Sequence, residues 1–97
     1  MAKLKISEQD IINAICLYMA DSKRMSPEEI EVELMFDDEA YGFSAEVFFH
    51  GRSQIIAHKD MIEALRFWIK RSLDQNPYAG IELVLDDEEG IIAYVSQ

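Results

Sequence analysis

Two clusters of acidic residues have side chains that could bind a cation. Asp37, Asp38 and Glu39 follow one predicted strand, and four consecutive acids occupy positions 86–89. Carboxylates in a flexible loop are the usual ligands of a hard cation such as calcium. The EF-hand pattern needs acids at alternate positions, a central glycine and a distal glutamate, and neither cluster has that spacing. We therefore predict no metal site, and cation binding by these turns stays an open alternative.

Nucleophilic catalysis would need Cys16 or a serine beside a histidine. Cys16 follows Ile12 and Ile15 at helical spacing, so we expect it in the core. His50 and His58 flank a predicted strand, and neither has a cysteine or a second histidine at the spacing of metal ligands. The glycines are isolated, so no glycine-rich phosphate loop is present. The sequence predicts no catalytic residue and no cofactor.

Length and composition predict one domain in the cytoplasm. The 97 residues are 49% hydrophobic, enough for a single core, so we expect residues 1–97 to form one domain. The single cysteine fits a reducing compartment. No apolar stretch approaches the ~20 residues that span a bilayer, and residues 1–5 lack the apolar run of a signal peptide. We expect no contact with a membrane.

The charge of the chain argues against a nucleic-acid partner. Nineteen acidic residues and nine basic ones give a net charge of -10. Binding to DNA or RNA is driven by basic side chains that release counterions, and a polyanion gains nothing from that release. We therefore predict a protein partner or self-association as a homodimer, and no binding to nucleic acid.

The periodicity of apolar residues predicts seven elements. A helix over residues 8–24 begins after Ser7, and Ser26 and Pro27 open a short capped turn. Alternation then predicts three strands over residues 30–37, 43–50 and 53–57. A second helix is expected over residues 60–75, and two strands over residues 81–85 and 91–95 close the chain.

These elements predict an α+β fold, in the order α-β-β-β-α-β-β, with two helices packed on one face of an antiparallel sheet. The closing hairpin is expected either to extend that sheet or to pair with a second copy through its edge. The predicted core residues of the helices and the sheet are Ile12, Ile15, Met19, Ile62, Leu65 and Ile69, and Val32, Leu34, Phe36, Val47 and Phe49.

Four glutamates occupy the outward register of the predicted strands: Glu31, Glu33, Glu46 and Glu82. Placed side by side, their like charges would repel. Two interpretations stay open. The glutamates form a solvated outer face that keeps the protein soluble, or they form a docking surface for a basic partner.

Three apolar residues break the amphipathic pattern. Phe67 and Leu17 fall on polar sides of the two predicted helices, and Phe48 faces outward from the second strand. Apolar side chains on polar faces can mark contacts with another chain, although single ones are ordinary. We therefore name Phe67, Leu17 and Phe48 as candidate contacts with a partner or a second copy.

Residues 7–20, 28–52, 61–69 and 80–93 resemble the YxcD-like family, a group of small uncharacterised proteins from spore-forming Gram-positive bacteria. The resemblance rests on the stretches IEVELMFDDEAYGFSAEV, MIEALRFWI and GIELVLDDEEGIIA and covers nearly the whole chain. It implies a bacterial, cytoplasmic protein. It implies no activity and transfers no functional residue.

The leading hypothesis is an acidic, non-catalytic protein-interaction or regulatory module. One alternative is a small enzyme of an unfamiliar class, which would need a concave pocket with convergent polar groups. Another is an acidic mimic of nucleic acid that occupies a basic partner, which would need carboxylates spaced like phosphates on one convex face.

Overall fold

The first helix begins and ends at caps that the sequence encodes. The computed structural model describes residues 3–37, 42–73 and 79–96, with the backbone alone for residues 72 and 73. Helix α1 spans Glu8–Lys23, and the Ser7 hydroxyl accepts a hydrogen bond from the Asp10 backbone N–H at 3.2 Å. Arg24 ends the helix in the left-handed conformation (φ 56°), and its N–H donates to the Ala20 carbonyl. The prediction of this helix is confirmed.

A short 3₁₀ turn, Pro27–Glu29, leads from α1 into the first long strand. The Ser26 hydroxyl accepts a hydrogen bond from the Glu28 N–H at 3.4 Å, and the Glu29 carboxylate accepts one from the Ser26 N–H at 3.0 Å. This reciprocal capping box satisfies two backbone donors that the turn would otherwise leave open. The predicted capped turn is confirmed.

The predicted three-stranded meander is also present. Strands β2 (Ile30–Asp37), β3 (Gly42–Phe49) and β4 (Arg52–Ala57) form one antiparallel sheet in the order β2-β3-β4. His50 and Gly51 join β3 to β4, and both have positive φ angles, 47° and 73°. A type I′ turn requires this conformation at both central residues, and its twist matches that of the flanking strands.

A second three-stranded sheet, in the order β1-β6-β5, corrects the prediction of a single sheet. It contains the predicted closing hairpin, β5 (Gly80–Asp86) and β6 (Gly90–Ser96). It also contains β1 (Lys3–Ile6), which the predicted order of elements lacks. Strand β1 pairs antiparallel with β6, so that Leu4 lies opposite Val95. Four residues are too few for a period-two pattern to stand out, and their partner lies at the other end of the sequence.

Helix α2 spans His58–Trp68 and continues as a π-helical turn, Ile69–Leu73. It begins two residues before the predicted start at Asp60, and residues 74 and 75 of the prediction lie outside the described residues. Helix α2 contacts α1, β3 and β4, whereas α1 contacts β2 and β6 and thus touches both sheets. The α+β prediction is confirmed. Within the described residues, neither helix is long and apolar enough to cross a bilayer.

One hydrophobic cluster includes residues of both helices and both sheets. Most predicted core residues are buried in it or packed against it: Ile15, Met19, Val32, Leu34, Val47, Phe49, Ile62, Leu65 and Ile69. Ile12 is an exception and is only half-buried, because the buried stripe of α1 runs through Ile11, Ala14 and Ile15 instead. Phe36 is a second exception at 41% exposed, because it lies near the end of the edge strand β2.

Candidate functional site

A groove of about 770 Å³ lies between α1, the 3₁₀ turn and the end of α2. Leu17 is 38% exposed at this groove, and Phe67 is half-buried. The structure therefore brings together two apolar residues that the sequence singled out on separate helices. The residues that line the groove are Leu17, Ala20, Asp21, Arg24, Met25, Pro27, Phe67, Trp68 and Arg71.

Contacts from α1 and from the π-helical turn hold the Phe67 ring. Tyr18 of α1 meets it edge to face, with 5.7 Å between ring centroids and 70° between the ring planes. The Arg71 guanidinium lies 5.2 Å from the centroid of the Phe67 ring, within the range of a cation–π contact. Arg71 Nη1 also lies 3.6 Å from Asp21 Oδ1. Phe67 is therefore held in place rather than free in solvent, because α1 and the π-helical turn both contact it.

Basic side chains accompany the apolar residues of the groove. Arg24 and Arg71 line it, and the neighbouring residues Lys23 and Lys70 are exposed. Lys23 Nζ lies 4.3 Å from the centroid of the Phe49 ring. Cations near the C-terminal end of a helix interact favourably with its dipole, which gives these positions a local reason to be basic. The helix ends thus concentrate positive charge in a chain whose net charge is -10.

A smaller recess of about 370 Å³ adjoins the groove and shares Leu17, Pro27 and Trp68 with it. Cys16 lines this recess and is half-buried, and its Sγ lies 3.6 Å from the Ile30 carbonyl oxygen, to which it donates. Burial raises the pKa of the Cys16 thiol, which favours the protonated form. A cysteine nucleophile needs the opposite shift, because the thiolate is the reactive form. Cys16 therefore acts as a packing residue and as a hydrogen-bond donor to the Ile30 carbonyl.

The two histidines lie elsewhere and have partners of their own. His50 Nε2 lies 3.0 Å from Glu29 Oε1, and this hydrogen bond, followed by the one from the Ser26 N–H, lowers the pKa of Glu29. The His58 ring lies 6.4 Å from the Phe43 ring. In the part of the chain that the structure describes, both histidines thus contact residues other than Cys16.

The predicted acidic face is only partly assembled. Glu33 and Glu46 lie directly opposite each other in the β2–β3 ladder, and Glu31 lies opposite Phe48 on the same side of that sheet. The structure corrects the predicted position of Glu82, which belongs to β5 in the other sheet and pairs with Tyr94. Three of the four predicted glutamates therefore share a face.

The same face carries a large apolar residue that the sequence analysis did not select. Ile55 lies opposite Glu46 in the β3–β4 ladder and is 58% exposed. The candidate contact Phe48 lies opposite Ser53 and is half-buried. The alternation of Ser53, Ile55 and Ala57 was the signal available, since it places Ile55 in the outward register of a short strand.

Carboxylates of the second acidic turn contact the protein itself. Asp86 Oδ1 accepts hydrogen bonds from the backbone N–H groups of Glu88 at 2.8 Å and Glu89 at 2.9 Å. The bond from Glu89, followed by the bond from Glu88, lowers the pKa of Asp86. Glu89 forms a 2.7 Å ion pair with Lys5 of β1, whose pKa it raises. These contacts close the β5–β6 turn and attach it to β1.

No group of three or more histidine, cysteine, aspartate or glutamate side chains within residues 3–37, 42–73 and 79–96 is placed to hold a metal ion. Asp38 and Glu39, which belong to the first acidic cluster of the sequence, lie outside the described residues. Cation binding by the first turn thus stays an untested alternative.

Comparison with known proteins identifies the family. The chain is 28% identical over 94 residues to the uncharacterized protein YxcD of Bacillus subtilis (strain 168), and the match covers 96% of this chain and 92% of that protein. No solved structure matches the chain. The family model described as "Protein of unknown function (DUF2653)" matches residues 1–88. The resemblance to the YxcD-like proteins is thereby confirmed, and the chain belongs to the DUF2653 family.

Proposed function

We propose that this protein is a non-catalytic interaction module that binds an acidic, partly apolar segment of a partner protein in the groove between α1 and α2. One observation carries the proposal. Leu17, an exposed leucine, and Phe67, an aromatic ring already held in place, line a groove that Arg24 and Arg71 also line. Aromatic residues and arginine are the types most enriched among residues that dominate protein–protein binding.

The charges of the groove specify the partner. Arg24 and Arg71 are exposed, and Asp21 is the one acidic residue among the described residues that line the groove. A segment with aspartate or glutamate beside a leucine or an aromatic residue would pair its carboxylates with the guanidinium groups and its apolar side chain with Leu17 and Phe67. A basic segment would be repelled at the groove, although the net charge of -10 would attract it at a distance.

The chemistry of the groove favours binding over catalysis. Its volume falls in the range that active sites and binding sites share, about 300–1,000 Å³, so the chemistry of the lining must decide between them. The acid that lines it, Asp21, lies within ion-pair distance of Arg71, so its carboxylate is already neutralised in part. Burial raises the pKa of the Cys16 thiol, in the adjoining recess, and so disfavours the reactive thiolate. The enzyme alternative would need a base and a reactive group that converge, and these contacts do not supply them.

The acidic-mimic alternative has weaker support. Glu31, Glu33 and Glu46 share one face, but Phe48 and Ile55 stand among them, and Glu82 belongs to the other sheet. A surface that imitates a row of phosphates needs an unbroken series of charges, and the apolar side chains interrupt this one.

The proposed compartment is the cytoplasm of a bacterium, in which the module acts as a single domain without a nucleic-acid or membrane partner. The free thiol of Cys16 fits a reducing compartment, and the relative from Bacillus subtilis supports a bacterial source. The net charge of -10 argues against binding to DNA, RNA or an anionic membrane.

Selection of random peptides displayed on phage tests the proposal. The purified protein is the bait, and we expect the retained peptides to combine aspartate or glutamate with leucine, phenylalanine or tryptophan. Leu17→Glu places a carboxylate in the groove and should weaken the binding of these peptides by at least about tenfold. Leu85→Glu is the matched control, because Leu85 is 51% exposed on the other sheet, and it should bind them as the wild type does.

Two results would overturn the proposal. One is a selection that retains no peptide above the background of uncoated beads. The other is a set of peptides that bind Leu17→Glu as tightly as the wild type, which would place their site elsewhere. Weaker binding at higher salt is expected of the retained peptides, because the contacts with Arg24 and Arg71 are exposed to solvent.

A further inference from the structure

Strand β4 is an edge strand whose side chains are open to solvent. It spans Arg52–Ala57 and, among the described residues, pairs on one side only, with β3. Ile56 is buried toward the core, and the other five residues are exposed, with Ile55 at 58%. Gln54 and Ile55 point to opposite faces of the sheet, and both are exposed. The outer edge of β4 is therefore accessible from both faces.

The composition of β4 differs from that of the other three edge strands. Natural edge strands carry charges that discourage pairing with another chain. The other edges follow this rule, with Glu31, Glu33 and Asp37 on β2, Lys3 and Lys5 on β1, and Glu82 and Asp86 on β5. Strand β4 has a single charged residue, Arg52 at its first position, and residues 53–57 contain no charged residue and no proline. An edge that lacks these protections over five consecutive residues is available for hydrogen bonding with a strand of another chain.

We propose that β4 pairs antiparallel with β4 of a second copy, across a two-fold axis at Ile55, and joins two meanders into one six-stranded sheet. This inference is independent of the proposed function, because Ile55 is absent from the residues that line the helix groove. It assigns the exposed Ile55 side chain to an isologous contact, in which the same surface is used by both copies.

The alternation of side chains selects this register. A two-fold axis perpendicular to the sheet keeps outward residues opposite outward residues, so a slip by one residue is excluded. With the axis at Ile55, Ser53 lies opposite the partner's Ala57 and Gln54 opposite the partner's Ile56, giving five pairs. An axis at Gln54 would place Arg52 opposite the partner's Ile56. An axis at Ile56 would place Gln54 opposite the partner's His58, which already belongs to α2.

The electrostatics of the chain favour this edge for self-association. Two copies of net charge -10 repel each other, so an interface between them must keep acids apart. The glutamate nearest to β4 across its ladder is Glu46, which lies opposite Ile55. In the joined sheet, the two copies of Glu46 would be separated by three strand spacings, about 14 Å. That separation exceeds the screening length of about 8 Å at physiological salt.

Disulfide trapping tests the proposal directly. In a Cys16→Ser background, Ile55→Cys should form a disulfide-linked dimer under mild oxidation. Residues opposite each other in an antiparallel pair have Cα atoms about 4.5–5.5 Å apart, within the range of about 4.4–6.8 Å that a disulfide spans. Leu85→Cys in the same background is the matched control, because Leu85 is also an exposed edge-strand residue. Equal cross-linking of the two variants would overturn the proposal.

The register has its own test. Ser53→Cys and Ala57→Cys, each in the Cys16→Ser background, should cross-link with each other after mixing and not with themselves. A Ser53→Cys homodimer that forms as readily as the mixed species would contradict an axis at Ile55.

Light scattering on a size-exclusion column tests the dimer without cysteines. The wild type should have twice the mass of the chain, and Ile55→Glu should have the mass of one chain with unchanged circular dichroism. Leu17→Glu should remain a dimer, which separates this proposal from the groove. A monomeric wild type, or a dimer that Leu17→Glu dissociates and Ile55→Glu does not, would overturn the pairing of β4.

Discussion

Glu8 and Ile91 are 83 positions apart, and the Glu8 Oε2 atom accepts a hydrogen bond from the Ile91 backbone N–H at 3.1 Å. Glu8 is the first residue of α1, and Ile91 is the second residue of β6. The bond therefore fixes the start of the helix against the central strand of the β1-β6-β5 sheet. A carboxylate that accepts a backbone hydrogen bond is a charge-assisted and comparatively strong contact.

Gly90→Ala should destabilise the protein by disturbing this contact. Gly90 has φ 78°, and a Cβ atom there would lie 2.6 Å from Glu8 Oε2, so the carboxylate would have to move. We expect a loss of about 1 kcal/mol for the left-handed conformation and about 1 kcal/mol more for the displaced hydrogen bond. Urea unfolding measures the sum. Gly51→Ala is the matched control, because its φ is 73° and its Cβ meets nothing within 4 Å. Equal losses in both variants would contradict the role of Glu8.

Asp86 should make the protein sensitive to acid. Its pKa is lowered from the ordinary 3.8 in the folded state, so the unfolded chain takes up the proton first as the pH falls. The stability that Asp86 contributes is therefore present above pH 3.8 and lost as the pH falls through the folded pKa. An asparagine at this position cannot titrate. The melting temperature of Asp86→Asn should therefore fall less in that window than that of the wild type. A melting temperature of Asp86→Asn that falls as steeply as that of the wild type in this window would contradict the role of Asp86.

Ile15 and Leu17 should differ in their contribution to stability although they lie on the same helix. Ile15 is fully buried, whereas Leu17 is 38% exposed. Ile15→Ala should lower the free energy of unfolding by about 3 kcal/mol, because it leaves a cavity in the core. Leu17→Ala should change that energy by less than about 0.5 kcal/mol. Urea unfolding followed by tryptophan fluorescence compares them, and similar losses would place Leu17 in the core.

Ser26→Ala should weaken the turn between α1 and β2. The Ser26 hydroxyl accepts the Glu28 N–H, and the substitution leaves that donor without its acceptor. Loss of such a cap costs about 1 kcal/mol. Ser22→Ala, at an exposed serine of α1 outside the proposed β4 interface, is the control and should not destabilise the protein. Thermal unfolding compares the two variants. Equal falls in their melting temperatures would contradict the capping role of Ser26.

Features with local causes could be predicted from the sequence. Ser7 and Ser26 cap turns within three residues of themselves, so their types and spacing were sufficient. The alternation in residues 30–37 predicted a strand, because a period of two needs only neighbouring residues.

Features that depend on distant partners could not be predicted from the sequence. Residues 3–6 form a strand because β6 pairs with them, and nothing in those four residues indicates that partner. Glu82 and Glu33 belong to different sheets, and the sequence does not show which strands share a sheet. The approach of Leu17 and Phe67 depends on how two helices pack, so their proximity was visible only in the structure.

The pairing of β1 with β6 affects the order in which parts of the fold can form during synthesis. Residues 3–6 are synthesised long before residues 93–96, their hydrogen-bonding partners. The β2-β3-β4 meander involves only neighbouring segments, so it can form while the rest is still being translated. A nascent chain that holds the meander and both helices would still keep β1 unpaired. Ribosome-bound intermediates should therefore be sensitive to protease at residues 3–6 until residues 93–96 have left the ribosome.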